Sequence, residues 1–251
     1  MQTAVGLVAA TGTLVPAFVG LKAMAPGLSA RVPLLYHAAL LRAFGVSVDV
    51  EGKPVSGGVL YVANHLSWLD IPVLGSKLQA VFVAKHEVGQ MPFVRTLANL
   101  AGTIYVDRQR RSLAPRQAET VASHLARGGN VILFPEGTSN DGLRILPFKP
   151  TLFAGLDGAL GRRVRVQPVS IAYTEVNAMP LTRNRQLEIA WIGDMALAPH
   201  ALALSRMGRI RARILCHEPV RPADFPDRKA LARHCRQVVE AGYRRLVRGP
   251  A

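Results

Sequence analysis

The chain has 251 residues, 49% hydrophobic and 19% charged, enough for one domain of ordinary to large size with a sizeable core, and this excludes a disordered polymer. The formal net charge of +15 at pH 7 speaks of partners rather than of fold, and it points to an anionic membrane surface or an acidic carrier protein. Nucleic acid fits poorly, because the chain carries no zinc-finger, RNP-type or helix-turn-helix signature and only 6% aromatic residues for stacking.

In chain order, the first feature is an N-terminal stretch, Met1 to Leu21, with no charged residue. It is nearly long enough to span a bilayer. It lacks the basic start and small-residue cleavage site of a secretory signal. Gly6, Gly12 and Pro16 weaken it as a straight spanning helix. The first charges, Lys22 and Arg31, follow it and put the rest of the chain on the cytoplasmic side. After a Pro26-Gly27 turn, leucines 34, 35, 40 and 41 recur at helical spacing within Val32–Val46, an amphipathic helix suited to an interface. Residues 1–45 are expected to form a membrane-associated helical segment at the cytoplasmic face of the inner membrane. The rival is a buried N-terminal helix in a soluble domain.

From Val46 the pattern turns to α/β, and residues 46–251 read as one domain. Strands are expected at Val46–Val50, Val59–Ala63, Val81–Ala84, Ile104–Val106, Val131–Phe134, Val164–Tyr173, Leu187–Ile192 and Ile210–Cys216. Helices are expected at Ile71–Leu78, Phe93–Leu100, Ser112–Ala126, Leu152–Leu160, Ala196–Ser205 and Asp227–Val247, the last capped by Asp227. Alternation in the first two-thirds, with strands dominating later, predicts a single mixed sheet with helices on its faces.

Four segments carry chemistry. Asn64-His65-Leu66-Ser67-Trp68-Leu69-Asp70 follows the run Val59–Ala63, so His65 falls past a strand's C-terminal end, where α/β sheets place ligands. In a continuous helix His65 and Asp70 would point about 140° apart at ~100° per residue. They meet only if His65 lies in the turn and Asp70 starts a helix, which Pro72, tolerated early in a helix, allows. A neutral imidazole can take the proton of an attacking hydroxyl, and a carboxylate on its far nitrogen fixes the tautomer. Phe134-Pro135-Glu136-Gly137-Thr138 ends a second strand. There Gly137 permits close backbone approach, Thr138 can cap or donate, and Glu136 can bind a hydroxyl or orient the site. Gly102-Thr103-Ile104-Tyr105-Val106-Asp107-Arg108 offers a guanidinium for a phosphate or carboxylate. Lys85 and Arg144 are further candidate anion ligands, each equally readable as a surface cation. The fourth segment is Gln167-Pro168-Val169. Cys216-His217 and His234-Cys235 invite a metal reading, but Cys216 ends an apolar run where a buried thiol is ordinary, so no metal and no cofactor are expected.

In order and spacing these segments, with Met91-Pro92-Phe93 and Leu146-Pro147-Phe148-Lys149, resemble the glycerolipid acyltransferase family, whose best-known members acylate lysophosphatidic acid. The resemblance covers roughly residues 59 to 172. It implies His65 as base, Asp70 as its partner, Arg108 and Glu136 on the acceptor lipid, and Pro168 shaping the acyl or acceptor site. It implies acyl-carrier-protein thioester or acyl-coenzyme A as donor, while the charge and composition make an anionic membrane surface, and no nucleic acid, the expected partner. The expected reaction takes lysophosphatidate to phosphatidate. One departure points elsewhere: the family's third block usually ends in arginine, and Ser139 stands there. That variant, with Trp191–Met195 and Leu197–His200, is similar to the subgroup that acylates lyso-ornithine lipid, the alternative acceptor. A non-catalytic membrane lipid-binding protein would explain the charge and N-terminus but not His65 beside Asp70.

Overall fold

The computed structural model describes residue 16 and residues 31–90, 95–96, 98–99, 101–106, 114–193 and 195–248. The uncharged segment 1–21 apart from residue 16, the Pro26-Gly27 turn, Arg108 and half of the expected Phe93–Leu100 helix lie outside these residues. Apolar runs rich in β-branched residues form strands β1 Val46–Glu51, β2 Val59–Ala63, β3 Val81–Lys85, β4 Ile104–Val106, β5 Val131–Leu133, β6 Arg165–Val176, β7 Met179–Pro180 and β8 Ile210–Cys216. The described helices are α1 Val32–Ala43, α2 Asp70–Gly75, α3 Ala114–Ala126, α4 Gly158–Arg163, α5 Arg183–Ile189, α6 Leu197–Ser205 and α7 Arg228–Arg248. Asp227 caps α7 as expected, its Oδ1 accepting from the Ala230 amide at 2.7 Å.

The strands join in one sheet of order β1-β8-β6-β2-β5-β3-β4, with β7 paired to β6. It is mixed: β2 runs parallel to both neighbours, β5 and β6, while β6 runs antiparallel to β8. Central β2 is buried along its whole length, and alternate residues serve opposite faces. Val59, Tyr61 and Ala63 join a core with Leu41, Phe44, Ile189 and Leu204, from α1, α5 and α6 and the turn after α1. Leu60 and Val62 join the opposite core with Leu125, Val239 and Leu246, from α3 and α7. Helices thus cover both faces, and β2, β5, β3 and β4 all run toward the same sheet edge.

Two expectations fail. Leu187–Ile192 is not a strand: α5 ends at Ile189, and after β7 the regular structure is helical apart from β8. Leu187, Ile189 and Trp191 alternate in the sequence as a strand would, but Leu187 is exposed and the neighbours Ile189 and Ala190 are both buried, the pattern of a helix end rather than a strand. Leu152–Leu160 is not one helix. A 3-10 turn over Pro150–Phe153 and α4 are separated at Gly155, whose φ of 84° a right-handed helix does not accept. Among the described residues no helix is long and apolar enough to cross a membrane.

Candidate active site

Backbone geometry brings His65 and Asp70 together. Residues 64–67 leave β2 as a loop, the chain turns at Trp68-Leu69, and α2 begins at Asp70. This turn-then-helix path is the one that their spacing required. His65 Nδ1 lies 2.8 Å from Asp70 Oδ2. The same oxygen accepts the Leu66 amide at 2.7 Å and the Ser67 amide at 2.9 Å. Asp70 Oδ1 accepts the Tyr173 hydroxyl at 2.7 Å. The fully buried carboxylate therefore takes four donors, as many as its lone pairs serve. Such an acceptor fixes Nδ1 as the protonated ring nitrogen and leaves the Nε2 lone pair as the basic site. His65 keeps 15% of its side chain exposed. Its ring lies flat on Phe134, centroids 4.0 Å apart and planes 15° off, which fixes the ring plane.

Tyr173 belongs to β6, immediately before a register shift against β8. Burial and the Asp70 carboxylate push its phenol well above the ordinary range, so the hydroxyl remains a donor. Asn64 fastens the His65 loop to β6: its side-chain amide donates to the Ile171 carbonyl and accepts the Ile171 amide, both at 2.9 Å.

Glu136, after β5, is 2% exposed. Its Oε1 accepts the His65 amide at 2.9 Å; its Oε2 accepts the Leu146 amide at 2.9 Å and the Asn140 side-chain amide. Asn140 returns to the His65 loop, its amide donating to the His65 carbonyl at 3.1 Å. Glu136 is thus the pin between the His65 loop and the 136–146 loop. Burial drives its carboxyl up to about 7, against the three hydrogen bonds that favour ionisation. Gly137 follows with φ 78°, and Gly142 has no room for a side chain: a Cβ there would come within 2.4 Å of Leu66 and closer still to Gln186.

The remaining expected residues take distinct places. Thr138 is exposed, its hydroxyl 3.2 Å from the Ser139 carbonyl. Arg144 is exposed in the loop that Glu136 pins. Lys85 ends β3, exposed and in register with Val106, so it sits on the same sheet edge as His65. Arg108 lies outside the described residues. Pro168 is buried within β6, paired in register with Val62, and its carbonyl accepts the His217 amide at 3.0 Å. Ser139 is engaged, its hydroxyl donating to the Trp191 carbonyl. Cys216 and Cys235 are buried free thiols, driven up to about 11 and about 12 by burial. Among the described residues no group of three or more His, Cys, Asp or Glu could hold a metal.

Sequence reasoning missed Tyr173, Asn64 and Asn140 as parts of the site. Tyr173 lies 103 residues from Asp70 and gives no local signal. Asn140 stands four residues after Glu136, a spacing that a closer reading of the turn could have weighed.

The arrangement suits proton removal from a hydroxyl at a sheet edge. Comparisons with known proteins bear on the family. The family model described as Acyltransferase matches residues 47–186. The lyso-ornithine lipid O-acyltransferase of Brucella abortus (strain 2308) is 39% identical over 220 residues, 86% of this chain and 82% of that protein. The 1-acyl-sn-glycerol-3-phosphate acyltransferase of Neisseria meningitidis serogroup B (strain MC58) is 36% identical over 138 residues, 53% of this chain and 52% of that protein. The crystal structure of the 1-acyl-sn-glycerophosphate acyltransferase of Thermotoga maritima matches with a TM-score of 0.68 at 24% identity, over 100% of this chain and 96% of that one. At that identity the likeness is one of fold.

Proposed function

The chain belongs to the Acyltransferase family and is a lysolipid O-acyltransferase of lipid biosynthesis; we propose that its acceptor is lyso-ornithine lipid and that His65 is the general base. The acceptor hydroxyl attacks the thioester carbonyl while His65 Nε2 takes its proton. Asp70 holds the imidazolium that forms. The tetrahedral intermediate then collapses, the carbon–sulfur bond breaks, and the thiol leaves with the proton returned by His65. The products are the acylated lipid and the free thiol of acyl-carrier protein or coenzyme A. The 2.8 Å contact between His65 Nδ1 and Asp70 Oδ2 carries this reading, because it readies Nε2 at the strand edge.

Two observations support the amino-acid lipid over the phosphate lipid. Similarity to the lyso-ornithine lipid enzyme runs over most of both chains, whereas similarity to the Neisseria enzyme runs over about half. Ser139 supplies no cation where the phosphate-acceptor pattern has arginine, and its hydroxyl is occupied by Trp191. Lysophosphatidate is the second acceptor to test, favoured by the exposed cations Lys85 and Arg144. We assign Glu136 as a positioning residue and Arg108, Lys85 and Arg144 to the acceptor head group. Residues 1–45 attach the enzyme to the cytoplasmic face of the inner membrane. The test is acyl transfer from labelled thioester to both lysolipids in matched vesicles. A higher kcat/KM for lyso-ornithine lipid is expected, and preference for lysophosphatidate would reverse the assignment. Failure with every lysolipid would leave a lipid-binding protein.

A further inference from the structure

Beside the site the chain exposes a row of apolar side chains, and Asp194 is the one charged residue in the sequence from Ile192 to Ser205. Ile192, Met195 and Leu202 are 38%, 42% and 53% exposed, and Ala198, Pro199 and Ala203 are exposed among them. From Met195 to Ser205 there is no charged residue. Single exposed apolar residues are normal on a soluble surface, but a continuous uncharged run on a surface helix and the turn before it marks an interaction site.

Hydrogen bonds tie this row to the catalytic loops through Trp191. Its amide donates to the Leu66 carbonyl at 3.0 Å, one residue after His65. Its carbonyl accepts the Ser139 hydroxyl, three residues after Glu136. Its indole donates to the Met195 carbonyl at 2.8 Å. The row also shares a sheet face with α1, the helix into which the N-terminal residues lead. Phe44 meets Trp68 edge to face at 5.4 Å, and the Trp68 indole donates to His200 of α6 at 2.9 Å. On that face α1 packs through Leu41 and α6 through Leu204, and α1 exposes Leu35 at 58%. Exposed arginines 183, 206 and 209 flank the row. An apolar centre with a cationic border is the pattern of a surface that rests in the head-group region of anionic lipid.

We propose that the row from Ile192 to Ala203 is a membrane-contact surface that seats on an anionic bilayer and holds the mouth of the His65 site against the leaflet supplying the lysolipid. It rests on the acyl-transfer reading only for the source of the acceptor, and it is distinct from attachment by residues 1–45. The row is aliphatic, and the indoles of Trp191 and Trp68 beside it both bond back to the chain, unlike the aromatic-rich centre of a protein interface.

The test uses the full chain and vesicles of phosphatidylglycerol and phosphatidylcholine with brominated acyl chains. The double variant Ile192→Ser with Leu202→Ser is compared with wild type and with Val247→Ser, an exposed apolar position on α7 across the sheet. Quenching of tryptophan fluorescence, from Trp68 and Trp191, reports seating without turnover. Activity on vesicle-borne and on short-chain dissolved lysolipid separates interfacial from chemical loss. The double variant should be quenched less and should raise KM for the vesicle-borne acceptor about tenfold, since two apolar side chains no longer enter the interface. Its activity on dissolved acceptor should stay near wild type, and Val247→Ser should match wild type throughout. Equal quenching and equal vesicle KM in the double variant would overturn the proposal. So would a defect confined to the acyl-carrier-protein donor, which would make the row a protein dock. If no lysolipid is turned over, the acceptor assignment fails while the quenching comparison still decides the surface.

Discussion

Two histidines in this molecule hold a side-chain partner at the same 2.8 Å, and their fates differ: His65 pairs with Asp70, His217 with Ser170. By residue type the second pair looks the more like a nucleophile with its base. Hydrogen bonding says otherwise. The Ser170 hydroxyl gives its one proton to the Val239 carbonyl at 2.8 Å, so His217 Nε2 must donate to Ser170 and has no lone pair for it. Ser170 is fully buried. Burial, with Arg245 nearby, pulls the His217 ring down to about 4, far from a working base at neutral pH. His65 has the reverse arrangement: a carboxylate on Nδ1, no hydrogen bond at Nε2 among the described residues, and a partly exposed ring. Tautomer and exposure make the site, rather than the presence of a histidine beside an oxygen.

Variants can break this comparison, and the largest effect should come from Asp70→Asn. Its amide would face three donors at Oδ2 and would no longer fix the imidazole tautomer, so kcat should fall by ~10²–10⁴-fold. Steady-state acyl transfer checks this, with circular dichroism to show that the fold persists.

Glu136→Gln probes the pin between the loops through its pH dependence. A carboxyl raised to about 7 in the fold, from an ordinary value near 4.5, binds its proton more tightly folded than unfolded. Its favourable contribution is fully present below pH 4.5 and is lost as pH rises through 7. The change amounts to about 3 kcal/mol across that window. Urea unfolding between pH 4.5 and 7.5 should show this loss in the stability difference between wild type and Glu136→Gln. His217 acts in the opposite sense, since a histidine held neutral in the fold loses stability as pH falls from 6.5 toward 4. The difference between Glu136→Gln and wild type isolates the glutamate.

Tyr173→Phe removes one of the four donors to Asp70 and leaves a buried lone pair without its partner, a loss of ~1–3 kcal/mol in stability and about tenfold in kcat. Smallest should be His217→Gln. It disturbs a buried polar contact, so melting temperature should fall, while kcat/KM stays within about threefold of wild type for a group outside the chemistry.

How much of this was legible beforehand depends on distance along the chain. His65 and Asp70 are five residues apart, and a proline two positions on places the helix start, so local rules suffice. Most strands were readable because β-branched runs alternate between two cores, as Val59 to Ala63 does. The Leu187–Ile192 error has a local cause. Leu187, Ile189 and Trp191 alternate in the sequence as a strand would, while the helix-start signal was Thr182, whose hydroxyl caps the Arg185 amide at 3.5 Å. Tyr173 and the Ser139–Trp191 bond arise only when β6 and the turn after α5 reach the His65 loop, and no spacing rule describes that meeting. The Ser139 bond gives a Ser139→Arg substitution two consequences. A cation there adds charge near the acceptor but releases Trp191, so a shift in head-group preference would come with a looser site.

The central claim is direct transfer to the acceptor at His65, with the Ser170–His217 pair a spectator. Single-turnover mixing of enzyme with labelled acyl thioester, with and without lysolipid, tests it for wild type and His65→Ala. Wild type should release thiol and form product only when lysolipid is present, with no label on the protein, and His65→Ala should be slower by ~10²–10⁴-fold while remaining folded. A stoichiometric acyl-protein that lysolipid discharges, or a His65→Ala enzyme within threefold of wild type, would contradict the account.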